Sequence, residues 1–489
     1  GVRILDLSDP LNPVLAATAP GAAGARQSEV QAAIITTASF DGHLMVNSDE
    51  ACAGGGFNGI QIWEHDAPNP PVELDRFPTG PVHNIKLFQR GDRAFALLAV
   101  PYAEVFGPSG GYPASDLQIV EVTDPSNATL VGQWTIGRDA GLAFGSPTFT
   151  DPSLPPGSNC APPPGTPVLC RGAIPVVYLH DISVSADGNT AYLSYWDAGV
   201  VILDISDVTA PSMIARISEP ITLGSNEGNA HSATPAGNNL LLVADEDFTA
   251  GPWGFLRIFD ITNPAAATQV GYYATPHATQ APPPDNGWYT IHHPMVAGNT
   301  AFIGWYSDGV RVVDFSTPSA PKEVASFVPP GVPDPHNYLP PNALFWAAHA
   351  HGQLVVASDM NAGLYVMGDD NDKDGCGDLQ EEPTNPATRG GRRDSASFWD
   401  FFDTPTGNPA ARDRAISVAD IVGIVGRFGS SGSTAIDPLS PPPPAPAYHT
   451  AFDRTLTPAA DPWDTAAPSG QITIQDIALS VQQFGHSCA

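Results

Sequence analysis

Cysteine is scarce in this chain, five residues in 489. None falls in a CxxC spacing, which excludes zinc ribbons and covalent haem attachment. Basic residues are also few, 20 against 51 acidic ones, for a net charge of −31. Nucleic acid and anionic membranes need a basic face that such a chain lacks. No run of 18 apolar residues occurs, so no helical membrane span is expected. The GxSxG, HExxH, Walker and Rossmann patterns are absent, and no Ser/His/Asp set has a workable spacing; the expectation is a protein that is not an enzyme. What is abundant is proline, 52 residues, concentrated in loops such as Pro282-Pro283-Pro284 and the run from Pro441 to Pro446. Proline there restricts the unfolded chain and stiffens the folded one.

One sentence recurs along the chain. Gly309-Val310-Arg311-Val312-Val313-Asp314, followed by Ser316, Thr317 and Pro318, reads as a strand entered from a glycine turn and closed by a Ser/Thr/Pro turn. Six further copies are marked by Ile4, Ile62, Ile119, Ile202, Ile258 and Val366, with Val312 marking this one. The markers stand 54 to 58 residues apart, except for one step of 83. Between copies lie apolar hairpins, as around Asp187-Gly188-Asn189 and Gly298-Asn299. Each period therefore holds about four short strands, and such small sheets must stack to bury both faces. Radial stacking gives an all-β fold, a β-propeller of four-stranded blades. Seven blades are favoured because seven markers occur; six are possible, since only six inner hairpins can be counted. The chain opens inside a repeat, which reads as a processed or truncated start.

The glycine, the alternating aliphatics ending in Asp and the Ser/Thr-Asp/Asn-Pro turn resemble the LVIVD repeat of bacterial surface-type β-propellers, over residues 1–368. The resemblance implies a fold and says almost nothing of activity.

After Val366 the composition changes. Asp370 to Glu381 fits DxDxDGxxDxxE without a gap. Oxygen donors at loop positions 1, 3, 5, 7, 9 and 12, with glycine at 6 for the sharp turn, suit Ca²⁺. Asp370, Asp372, Asp374 and Glu381 are the expected side-chain ligands. Cys376 would ligate through its carbonyl, and Asp378 directly or through water. This loop and linker spans 369–384. Residues 385–489 then repeat a second theme: Ile416 to Gly429 matches Ile472 to Gly485, each a Ser/Thr cap, an acidic third residue, an amphipathic helix and a glycine stop, with a Pro-rich spacer at 440–447. The pair resembles the half-EF-hands of dockerin-like domains, which implies that Asp420 and Asp476 close calcium loops. Upstream, the first loop offers Asp400, Asp403, Asn408 and Asp413, and the second offers Asp453, Asp461, Asp464 and Ser469. Asp413 and Asp464 are the expected partners of Asp420 and Asp476. Ordinary helix capping by Asp420 and Asp476 is the alternative. In either case Val422, Val425 and Phe428 are expected to pack on Ala478, Val481 and Phe484.

Cys160 and Cys170 bracket a Pro-rich loop within the long step, and a disulfide between them would close that insertion. Cys376 and Cys488 would tie the last residues to the first calcium loop, leaving Cys52 unpaired. Such usage favours an exported protein. Finally, His83, His180, His231, His292 and His293 fall near the starts of innermost strands, with His349 and His351 near the last hairpin. His83, His180, His231 and His293 are the candidate ligands of a transition metal at one channel mouth. The alternative is that each histidine hydrogen-bonds the backbone of the next blade.

The sequence thus describes a secreted or cell-surface scaffold with Ca²⁺ as its cofactor. Its C-terminal module would attach it to other protein chains, its own or foreign. A self-assembling extracellular filament or sheath, and a metal-dependent enzyme at the histidines, are the alternatives.

Overall fold

The computed structural model describes residues 1–8, 13–52, 55–66, 69–101, 103, 114–141, 177–196, 198–218, 229–248, 253–352, 354–368, 370, 373, 374, 376, 377, 381, 397–407, 410–456, 463 and 465–487. They fall in two compact units, Gly1–Ala350 with Val356–Val366, and His351–Val355 with Met367–Ala489.

The first unit is an all-β, six-bladed propeller. Blade one contains β4 (Val30–Thr36), β5 (Asp41–Ala51), β6 (Gly59–Glu64) and β7 (Val72–Pro78), with β3 (Ala25–Arg26) added on β5. Blade two contains β8 (Asn84–Arg90), β9 (Arg93–Ala99), β10 (Leu117–Glu121) and β11 (Thr129–Trp134). Blade three contains β12 (Asp181–Val184), β13 (Thr190–Ser194), β14 (Val200–Asp204) and β15 (Ser212–Ile217). Blade four contains β16 (Ala230–Ala236), β17 (Leu240–Asp245), β18 (Leu256–Asp260) and β19 (Thr268–Tyr273). Blade five contains β20 (His293–Ala297), β21 (Thr300–Gly304), β22 (Val310–Asp314) and β23 (Lys322–Phe327). Blade six is the three-stranded sheet β24 (Phe345–His351), β25 (Leu354–Asp359) and β26 (Gly363–Gly368). The favoured count of seven is corrected to six. The seventh marker lies in β1 (Val2–Asp6), which pairs with β2 (Val14–Ala19) in a separate ribbon. Val2 and Ile4 of that ribbon pack against Met45 and Trp63 of blade one. The inserted loop, with Cys160 and Cys170, lies mostly outside the described residues.

The recurring motif is the third strand of each blade. In β14, Val201 and Leu203 pack toward blade two while Val200 and Ile202 pack toward blade four. A strand buried on both faces needs no polar alternation, which explains the continuous Val-Val-Ile-Leu run. The marker residue has a local meaning as well. The register between the marker strand and the strand that follows it slips immediately after Ile4, Ile62, Ile119, Ile202, Ile258 and Val312, leaving a β-bulge at each. The closing Asp carboxylate then accepts the backbone N–H two residues on, at 2.7–2.8 Å for Asp6, Asp204, Asp260 and Asp314.

The turn that follows abuts the outer strand of the preceding blade. A Cβ on Gly132 would land on the carbonyl oxygen of Val208, and one on Gly271 on that of Pro318. Gly271→Ala is therefore expected to destabilise the propeller by about 1–3 kcal/mol through overpacking. A urea midpoint equal to that of the wild type would show that the blades can part at no cost.

Among its described residues the second unit contains two α-helices, α1 (Val418–Val425) and α2 (Ile474–Gln482), and a short ribbon, β27 (Thr455–Leu456) with β28 (Thr465–Ala466). Both helices carry complete capping boxes, Ser417 with Asp420 and Thr473 with Asp476. Their inward faces differ from expectation. Asp420 and Ile424, and Asp476 and Leu479, are buried, with Ile424 and Leu479 against Phe402, Phe452 and Ile472. Val422, Val425, Phe428, Ala478, Val481 and Phe484, expected to pack together, are all exposed. The reason is the acidic cap. Each carboxylate faces inward to accept backbone N–H groups, and that fixes the rotation of its helix.

Candidate metal centres

Two kinds of donor cluster form, one of imidazoles in the propeller and one of carboxylates in the second unit.

The imidazoles come from consecutive blades at the starts of their innermost strands: His83 before β8, His180 before β12, His231 within β16 and His292 before β20. The innermost strands β4, β8, β12, β16 and β20 neighbour one another in turn, so the rings stack in a row. Centroid separations are 4.4 Å for His83–His180, 4.1 Å for His180–His231 and 4.2 Å for His231–His292. His83 Nδ1 lies 3.0 Å from Glu50 Oε1, and its Nε2 lies 3.0 Å from His180 Nε2. His180 Nδ1 donates to the His231 carbonyl at 3.2 Å, and His292 Nδ1 to that of Trp346 at 2.6 Å. Those two bonds are the cross-blade backbone contacts expected of purely structural histidines. His231 differs: its Nδ1 is buried without a hydrogen-bond partner, and its Nε2 lies 3.7 Å from Glu246 Oε2. Among the described residues His231, Glu246 and His292 bring one donor atom each within 4.8 Å of one another. Burial holds the His180, His231 and His292 imidazoles well below the usual range. It also pushes the Glu246 carboxyl up to about 8, against the hydrogen bond that Tyr306 donates. Of the adjacent pair, His292 continues the row; His293, the residue expected there, turns toward Asp181 with its Nδ1 3.7 Å from the carboxylate.

In the second unit Asp403, Asp413 and Asp420 bring carboxylate oxygens within 4.8 Å of one another. Asp420 Oδ1 accepts Thr404 N at 2.8 Å and its Oδ2 accepts Ser417 N at 2.8 Å. Asp403 Oδ2 accepts Arg414 N at 2.7 Å, but its Oδ1 is buried with no partner. Burial raises the Asp403 carboxyl to about 7. An orphaned buried oxygen between two further carboxylates fits a divalent cation with oxygen ligands. The second loop is better satisfied. Asp453 accepts Ser469 N at 3.0 Å, Gly470 N at 2.7 Å and Tyr448 Oη at 2.8 Å, while Asp476 accepts Arg454 N at 2.7 Å and Thr473 N at 2.7 Å. Its other expected ligand, Asp464, lies outside the described residues. Upstream, the buried Asp374 and Glu381, loop positions five and twelve, bring donors within 4.8 Å of each other; Asp374 also accepts the Cys376 N–H at 2.7 Å. Asp370 is half-buried, and Asp372 and Asp378 lie outside the described residues. Cys376 is buried and disulfide-bonded, so its sulfur is no ligand. Cys488 lies outside the described residues, and Cys52 is a free, exposed thiol.

Residues 180–218 and 295–328 match the LVIVD repeat. No curated protein matches the chain. Among solved structures it is similar to the periplasmic gluconolactonase of Pseudomonas aeruginosa, at 11% identity over 67% of this chain and 78% of that one, with a TM-score of 0.44. It is similar to a putative 6-phosphogluconolactonase from Bacteroides uniformis, at 11% identity over 66% and 77%, with a TM-score of 0.42. The C-terminal WD40 domain of Sif2 gives 10% identity over 73% and 86%, with a TM-score of 0.40.

Proposed function

We propose that the chain is a secreted or cell-surface propeller scaffold, without catalytic activity of its own, joined to another protein by a C-terminal unit that folds on calcium. The observation that supports this reading is a duplicated apolar surface. At matching positions of the two helical repeats, Val418 and Ile474, Val425 and Val481, and Phe428 and Phe484 are all at least half exposed. Paired apolar side chains left outside while the helix-capping Asp420 and Asp476 are buried are what a protein-binding surface requires. Calcium joins the reading through Asp403, whose orphaned oxygen sits beneath the cap of α1. None of the described helices is long and apolar enough to cross a membrane.

The test is Phe428→Glu with Phe484→Glu in the full chain, returned to the cells that make it. Calcium-dependent retention at the envelope is expected to be lost, while the melting temperature stays that of the wild type because both rings are exposed. Unchanged retention would refute the proposal.

A self-assembling filament is the second reading. It is favoured by blade six, which among the described residues ends at β26 after three strands. An open strand edge can accept a strand from another copy, and sedimentation of the purified chain in calcium separates the two.

A further inference from the structure

The row of imidazoles is not explained by scaffolding alone. His231 is 2% exposed and Glu246 and His292 are each 4% exposed, yet His231 Nδ1 makes no hydrogen bond. A buried polar atom left unpaired is destabilising, so a ring kept there calls for a role beyond packing. Their surroundings are ordered in a particular way. His292 commits Nδ1 to the Trp346 carbonyl, which leaves its Nε2 with a free lone pair. Tyr306 Oη donates to Glu246 Oε1 at 2.5 Å. The other oxygen, Oε2, is the one that faces His231 Nε2 at 3.7 Å. Outer hydrogen bonds thus hold the far atoms of His292 and Glu246 and leave their near atoms bare, the usual support of ligands in a metal site.

We propose that His231, Glu246 and His292 hold a divalent transition-metal ion that clasps the fourth blade to the fifth. Two ligands bound at about 2.0–2.1 Å in a tetrahedral site stand roughly 3.4 Å apart, so the 3.7 Å between His231 Nε2 and Glu246 Oε2 closes by a few tenths of an ångström, while the His292 donor, within 4.8 Å of both, closes by a side-chain adjustment of at most about 1.4 Å. Two imidazoles and a carboxylate suit zinc, copper, nickel or ferrous iron, and are too nitrogen-rich for calcium. His231 and Glu246 come from blade four and His292 precedes the first strand of blade five, so the ion would cross-link the blades. Its burial makes it structural, with no face open to a substrate. Tyr306 is a positioning residue, since it acts on the metal through Glu246.

The experiment uses the full chain, stripped with a chelator, returned to excess Ca²⁺ and then dialysed against Zn²⁺. One zinc per chain is expected by mass spectrometry of the eluted metal, together with a rise in the melting temperature of the propeller. Glu246→Gln and His292→Gln are expected to abolish that equivalent. Tyr306→Phe should retain it with an affinity roughly 10–100-fold weaker. His349→Gln, an exposed position, should leave it unchanged. Co²⁺ substitution adds a readout that needs no variant, because a visible absorption band reports imidazole and carboxylate ligation in the wild-type chain. The proposal is overturned if the wild type binds no zinc and shows no cobalt band. It is equally overturned if folded Glu246→Gln binds zinc as the wild type does, or if the zinc is lost instead with Asp403→Asn.

Discussion

Replacing Arg257 with methionine is expected to destabilise the propeller by about 3–5 kcal/mol. Arg257 lies in the third strand of blade four with no exposed surface, and its Nη2 is 2.6 Å from Asp245 Oδ2, which is equally buried. Asp245 also accepts the Asn229 N–H at 2.5 Å. Removing the guanidinium strands a carboxylate where water cannot reach it, and the cost of that uncompensated charge exceeds the net worth of the pair. Adding Asp245→Asn removes the charge and keeps an acceptor for Asn229, so the double variant should regain at least half of the loss. Chemical denaturation of the four members of this cycle measures the coupling. If the single and double variants unfold at the same denaturant concentration, the buried pair contributes nothing specific.

The second large effect belongs to calcium and Asp403. An ion that binds only the folded state at about a thousand times its dissociation constant stabilises by about 4 kcal/mol. Asp403→Asn keeps the shape of the side chain and the acceptor for Arg414, but removes a charge that is costly to bury alone. The sign should therefore reverse with conditions. In chelator the variant is expected to unfold at the same temperature as the wild type or higher, and in millimolar calcium well below it. A variant that tracks the wild type in both buffers would remove Asp403 from any ion site.

Much of the propeller was legible in the sequence because its repeat is carried by one strand with a fixed grammar. Ile4, Ile62, Ile119, Ile202, Ile258 and Val312 mark the strands and also the bulges, and in four of them the Asp two residues on closes the turn. The blade count was less legible. A marker shows that a third strand exists, but not whether two inner strands lie beside it, and β1 has only β2. The polar residue beside the marker was not legible as a core residue: Gln61, Gln118 and Arg257 occupy that position fully buried, each requiring a partner from elsewhere in the fold. Adjacent residues on a strand face opposite ways. His292 and His293 therefore could not both join the row, and only the register decides between them. In the helices, periodicity located an apolar face correctly, but capping by Asp420 and Asp476 turned the opposite face inward.

The most direct measurement is hydrogen exchange on the full chain, compared between millimolar calcium and excess chelator. Slow exchange in the segment from Ser397 to Ser487 should collapse when calcium is withdrawn, while the strands of the propeller keep their protection. Protection in that segment that is indifferent to chelator would contradict a calcium-folded connector on a self-sufficient propeller.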